Sequence, residues 1–218
     1  MTTACVSIFI GGISRLPESG SLTGMYKALA TGPLELGVEG FAGDVQADRR
    51  FHGGPEKAVH LYPVGHYETL ARQFPEAAAS LVAGSLGENL SADLDERQVR
   101  IGDIWRLGDT LLQVCQPRNP CWKIDERFAC DGMAAYIAQT LKTGWYWRVV
   151  RTGRVTPGGT LDLVESNADA HTLYEAMSVW REHRPAVDAL LRLAGTPGIA
   201  SGWRDKIVQR IAFLKTIP

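Results

Sequence analysis

Val99-Arg-Ile-Gly-Asp-Ile-Trp-Arg-Leu-Gly-Asp-Thr-Leu-Leu-Gln-Val-Cys115 is an apolar, β-rich stretch broken twice by Gly-Asp. Gly102-Asp103 separates Val99-Arg-Ile101 from Ile104-Trp105, and Gly108-Asp109-Thr110 leads into Leu111-Leu-Gln-Val-Cys115. Glycine supplies the positive φ that tight hairpins need, so both breaks read as hairpin turns. The same grammar extends outward. Residues 6–10 form an apolar run before Gly11-Gly12, and residues 145–150 and 161–164 enclose Thr156-Pro-Gly-Gly159. Short strands at this spacing predict a closed or nearly closed barrel rather than a parallel sheet.

Helical periodicity interrupts the strands. Residues 66–74 place Tyr67, Leu70, Ala71 and Phe74 on one face, and Pro75 stops them. Residues 75–83 read as a short helix with proline in its first turn, and residues 132–141 as another carrying Met133, Ile137 and Leu141. After Ser166-Asn167 the pattern is purely helical, over residues 172–180, 184–194 and 202–215. Three short helices bury little by themselves, so they should dock on the barrel. The expected architecture is mainly β: a barrel domain with peripheral helices over residues 1–165 and a small three-helix domain over 166–218.

Composition narrows the function classes. The 218 residues are 45% hydrophobic and 22% charged, which excludes disordered and fibrous classes. With 23 Lys and Arg against 24 Asp and Glu, no global charge draws the chain to nucleic acid or an anionic membrane. The start lacks a basic region, and no apolar run reaches membrane-spanning length, so a cytoplasmic location is expected. Four cysteines without CxxC spacing then read as reduced thiols, with any functional one reactive or metal-bound. GxGxxG, GxxxxGK[ST], HExxH and GxSxG motifs are all missing from the sequence.

Gln113-Val-Cys-Gln-Pro-Arg-Asn-Pro-Cys-Trp-Lys123 carries the most chemistry. A strand runs into Pro117, and Pro120 stiffens the loop before Cys121, fixing the direction of that thiol. Arg118 and Lys123 are close cations of the kind that favour thiolate, the form that ligates soft metals or attacks electrophiles. The competing reading is a small buried apolar cysteine. Cys115, inside the strand pattern, fits that reading better, as do Cys5 and Cys130.

Two further stretches offer polar groups. His52-Gly53-Gly54 followed by Lys57 can form a backbone nest with a mobile cation suited to phosphate, or a plain turn with a solvated lysine. Gly87-Glu-Asn-Leu90 can point Glu88 or Asn89 at a ligand, or be an exposed turn. His60 and His66 lack both metal-ligand spacing and a third obvious ligand.

In this order, Gly43-Asp44, His52-Gly-Gly54 with Lys57-Ala58, Gly87-Glu-Asn-Leu90, Gly102-Asp103 and Gln116-Pro-Arg-Asn-Pro-Cys121 resemble the MOSC family. These are the molybdenum cofactor sulfurase C-terminal domains, and the bacterial YiiM-like branch, with its three-helix tail, is the nearest in pattern. The resemblance implies a MOSC-type β-barrel that binds the molybdenum cofactor as Mo-molybdopterin, independent of pyridoxal phosphate. Cys121 would then be the protein ligand to molybdenum. His52, Gly53, Gly54, Lys57, Asn89 and Arg118 would hold the pterin and its phosphate, with His52 the candidate proton donor.

Also implied is reduction of N-hydroxylated compounds such as 6-hydroxylaminopurine to amines. The sequence has no cysteine-rich segment for an iron–sulfur cluster, so a separate flavoprotein reductase would deliver electrons. A homodimer is compatible with this reading, and no membrane partner is expected. Asn119 departs from the family pattern, where serine is common before Pro-Cys. Two other readings stay open. One is a non-catalytic cofactor or sulfur carrier using Cys121. The other is a nucleic-acid-binding regulator, which needs Arg184, Arg192, Arg204, Lys206, Arg210 and Lys215 to form one stripe.

Overall fold

The computed structural model of the protein describes residues 2–216. Seven strands close into a ring: β1 (Thr3–Ile10), β2 (Val59–Pro63), β3 (Leu90–Ala92), β4 (Ile104–Leu107), β5 (Thr110–Pro117), β6 (Trp145–Arg151) and β7 (Thr160–Glu165). Around the ring the order is β7–β4–β5–β6–β2–β3–β1, and β1 closes back onto β7. Closure removes the exposed edges that an open sheet would present. The expected β-barrel with peripheral helices is therefore present.

Pairing is antiparallel except between β2 and β3, which run parallel with Leu61 opposite Leu90. A parallel neighbour needs a crossover. Here it is helix α1 (Gly65–Gln73) followed by a 3-10 turn over Pro75–Ser80, where the sequence suggested a longer helix. The Gly108-Asp109 turn joins β4 to β5 as expected, with Thr110 opposite Leu107.

The Gly102-Asp103 break is different. Val99 and Ile101 are fully buried but form no hairpin strand, and Arg100 makes only an isolated bridge to Thr172. The cause is Asp103, whose carboxylate accepts the Arg100 and Asn167 backbone N–H groups at 2.8 Å each. That pulls the turn toward the junction with the C-terminal helices.

Alternation fills the barrel. On β1, Ala4, Val6 and Ile8 point inward and meet Leu61, Leu90, Val114 and Leu161. Trp105, Trp145 and Trp147 are fully buried, and Trp105 meets Trp147 edge to face with ring centroids 6.1 Å apart. Cys5, expected to be buried, is exposed, because the alternation that buries Ala4 and Val6 turns it outward. Cys115 and Cys130 are buried as expected.

Outside the ring, α1 packs with α2 (Lys123–Phe128) and α3 (Met133–Thr140) through Tyr67, Leu70, Ile124, Phe128, Met133 and Ile137. The tail forms α4 (Leu173–Arg181), α5 (Val187–Ala194) and α6 (Ser201–Leu214). Thr172 and Glu175 build a reciprocal capping box that starts α4. Leu173, Leu190, Leu193, Trp203 and Ile207 join the same apolar cluster as the barrel tryptophans, so the helices dock on the barrel. Arg210 donates to the Trp180 and Glu182 carbonyls, tying α6 to the end of α4.

Candidate functional site

Strand β5 ends at Pro117, and the Arg118 N–H donates to the Gly144 carbonyl at 3.0 Å, which anchors the loop beside β6. Three residues on, the Cys121 carbonyl accepts from Ile124 N at 3.0 Å as α2 begins. The chain between these anchors carries Pro120, so Cys121 is held at both ends. Its thiol is free and partly exposed, and the residue lines an open cleft.

Several other segments wall the same cleft. His52 ends a short helical turn (Arg49–His52), with its N–H on the Asp48 carbonyl at 2.9 Å. Gly54, at φ 92, bends the chain as only glycine does easily, and Lys57 follows through a 3-10 turn. His60 comes from β2, Asn89 from the turn into β3 and Tyr146 from β6. The structure thus gathers Cys121, His52, Lys57, Asn89 and Arg118 at one place, while Gly53 and Gly54 shape the turn beside it.

The cleft is cationic, and its electrostatics follow. Burial first, then the charges of Arg118, Lys123 and Lys57, push His52 down to about 4, so the free site holds it neutral at pH 7. Burial and the nearby Lys206 ammonium lower Lys57 as well. Arg118 is 6% exposed and lines the cleft with Tyr146, and its buried Nη1 has no partner. Among the described residues no carboxylate pairs with that guanidinium. A buried cation left this way is costly unless an anion completes it.

Not every polar wall group is available. The Asn89 amide accepts from His60 N at 3.2 Å and donates to Asp44 Oδ2 at 2.9 Å and to the Phe9 carbonyl at 3.3 Å. Glu88 turns away into the protein, accepting from Tyr67 Oη at 2.5 Å and Gly84 N at 2.6 Å. The Lys123 ammonium donates to the Leu22 carbonyl at 2.7 Å.

Sequence reasoning passed over His60, Lys27, Asp44 and Tyr146 as lining residues. His60 left a signal, being a titratable group inside the wholly buried strand β2. Asp44 stood in the quoted Gly43-Asp44 pair, whereas Lys27 left no signal, because only the fold pairs the two.

Among the described residues no group of three or more His, Cys, Asp or Glu side chains could hold a metal ion. A metal seated here would therefore bring most of its ligands with it, and Cys121 is the thiol that faces it. The donor set suits such a group: one accessible thiol, a buried unpaired guanidinium and a half-buried lysine that fit an anionic organic ligand.

The fold and site together are a closed mixed barrel with a partly exposed cysteine in a cationic cleft. The MOSC domain profile matches residues 48–162. Protein YiiM of Escherichia coli (strain K12) is 38% identical over 207 residues, covering 94% of this chain and 91% of that protein. The crystal structure of YiiM from Escherichia coli superposes with a TM-score of 0.83 at 31% identity, covering 100% of this chain and 96% of that one. A protein named "Reductase" from Gibberella moniliformis (strain M3125 / FGSC 7600) is 32% identical over 86% of this chain, which spans 34% of that protein. The chain belongs to the MOSC domain family, in its YiiM-like branch.

Proposed function

We propose that the protein is a molybdenum-cofactor-dependent reductase of N-hydroxylated compounds, with 6-hydroxylaminopurine as a representative substrate. The observation that carries this reading is the Cys121 thiol facing the same cleft as the unpaired, buried Arg118 Nη1. The family and the reductase-named relative support an oxidoreductase; the substrate and cofactor are this reading's own.

When bound, the cofactor supplies two-electron oxygen-atom chemistry that no side chain in the cleft can perform. Cys121 Sγ would hold the metal, and Arg118 with Lys57 would bind the anionic pterin phosphate. The substrate N–O bond breaks, the oxygen leaves as water, and two electrons and two protons are consumed. A separate flavoprotein reductase delivers the electrons. His52 is the candidate proton carrier. Burial and three cations lower its affinity for a proton in the free site, and an anionic group seated among those cations would offset their part.

The test is expression in a host that makes the cofactor, followed by molybdenum and pterin analysis. 6-Hydroxylaminopurine reduction is then assayed with a flavoprotein reductase. Turnover proportional to molybdenum content is the expected result. A loaded but inert protein would favour a cofactor carrier, and a preparation that never takes up pterin would overturn the reading.

A further inference from the structure

Helix α6 begins without a cap of its own. Its N-cap is Ala200, no side chain of the helix caps it, and its first turn has no acidic residue. The missing acceptor comes from Glu56, far away in sequence, in the turn between Gly54 and Lys57. Glu56 Oε2 accepts from Ser201 N and Ser201 Oγ, both at 2.9 Å, and Oε1 accepts from Arg148 Nη2 at 2.7 Å.

The same residue is held through its backbone. Its carbonyl accepts from Gln116 Nε2 at 3.1 Å and from Cys115 Sγ at 3.0 Å, both on β5. Arg148 is itself braced by Gln113 Oε1 at 3.1 Å. Glu56 is therefore fastened to β5, β6 and α6 at once, while the next residue, Lys57, lines the cleft. Lys206, one turn into α6, is close enough to act on the Lys57 charge.

We infer that Glu56 is the positioning residue of the cleft loop: it couples the start of α6 to Lys57, so the C-terminal helices are part of the ligand-binding machinery. Its relevance to the molybdenum cofactor rests on the function proposed above, but the coupling itself does not. An anion held by Lys57 stabilises the loop, the loop stabilises the Glu56–Ser201 contact, and the effect is reciprocal.

The experiment compares wild type, Glu56→Ala and Glu56→Gln. Hydrogen exchange on ligand-free protein is read at amides 53–58 and 201–204. Glu56→Ala should accelerate exchange at both ends together, and Glu56→Gln, which can still accept from Ser201 N, should be intermediate. Unchanged exchange at 53–58 in Glu56→Ala would overturn the coupling whatever the ligand. A second arm measures pterin and molybdenum per chain after identical purification, at a temperature where all three are folded. Retention should fall about tenfold in Glu56→Ala, a typical cost for an outer partner of a binding group. Full retention in Glu56→Ala would refute the positioning role. Coupled exchange in a wild type that never holds pterin would refute the cofactor reading alone.

Discussion

Asn89 Nδ2 donates to Asp44 Oδ2 at 2.9 Å, and Asp44 also accepts the Lys27 ammonium and Gly11 N. Both ions are almost wholly buried, with side-chain exposures of 5% for Lys27 and 1% for Asp44. Two polar residues of the cleft wall are thereby spent on the fold, and Lys27 is not a spare cation for a ligand. Removing one partner of a buried pair strands the other charge, at a cost of about 3–5 kcal/mol. Asp44→Asn should lower unfolding free energy by that amount in urea titrations. A loss below about 1 kcal/mol would mean the pair is solvated in solution.

Cys121 has the opposite standing. Its thiol is free and partly exposed, so it contributes little to packing. Cys121→Ser should leave stability within about 0.5 kcal/mol of wild type. The variant should purify without molybdenum from a cofactor-competent host. Molybdenum content equal to wild type would remove Cys121 from the metal.

The barrel was legible where a turn is short and local. Gly108-Asp109 announces the β4–β5 hairpin because both strands flank it directly. Strands β2 and β3 were not announced. They are buried along their whole length, so no alternation marks them, and their parallel pairing is made by a distant crossover. Val99-Arg-Ile101 misled for a related reason: the Asp103 side chain, not the turn type, decides where that segment goes. Cys5 shows residue type losing to position, since an alternating strand sets which face a cysteine takes. Helix α2 has only six residues, too few for periodicity to show. Within the site, proline bracketing made Cys121 visible, whereas the Lys27–Asp44 pair and the Glu56–Ser201 contact exist only across the fold.

His52 sets a pH signature. Burial and the Arg118, Lys123 and Lys57 charges bring its folded value from the ordinary 6.5 to about 4. The unfolded chain therefore binds the proton more readily, and stability must rise with pH across that window. This contribution is complete above about 6.5 and is lost as pH falls toward about 4. His52→Gln should flatten the stability profile between those limits. In wild type, the His52 ring proton resonance should titrate near 4 and move upward when inorganic phosphate occupies the cleft. Titration near 6.5 in the free protein would show that neither burial nor the cations act on this ring.

Arg118 tests whether the cleft is built for an anion or merely contains a charge. Its guanidinium is buried and leaves Nη1 without a partner. Such an arrangement lowers stability unless a ligand completes it, and replacing a buried ion by an apolar side chain of similar length is often neutral or stabilising. Arg118→Met should therefore keep or raise the melting temperature of the ligand-free protein while lowering pterin retention. That opposition is the mark of a residue kept for binding at the expense of stability. If Arg118→Met instead unfolds the protein, the guanidinium serves the fold, and the anion must be held by Lys57 without it.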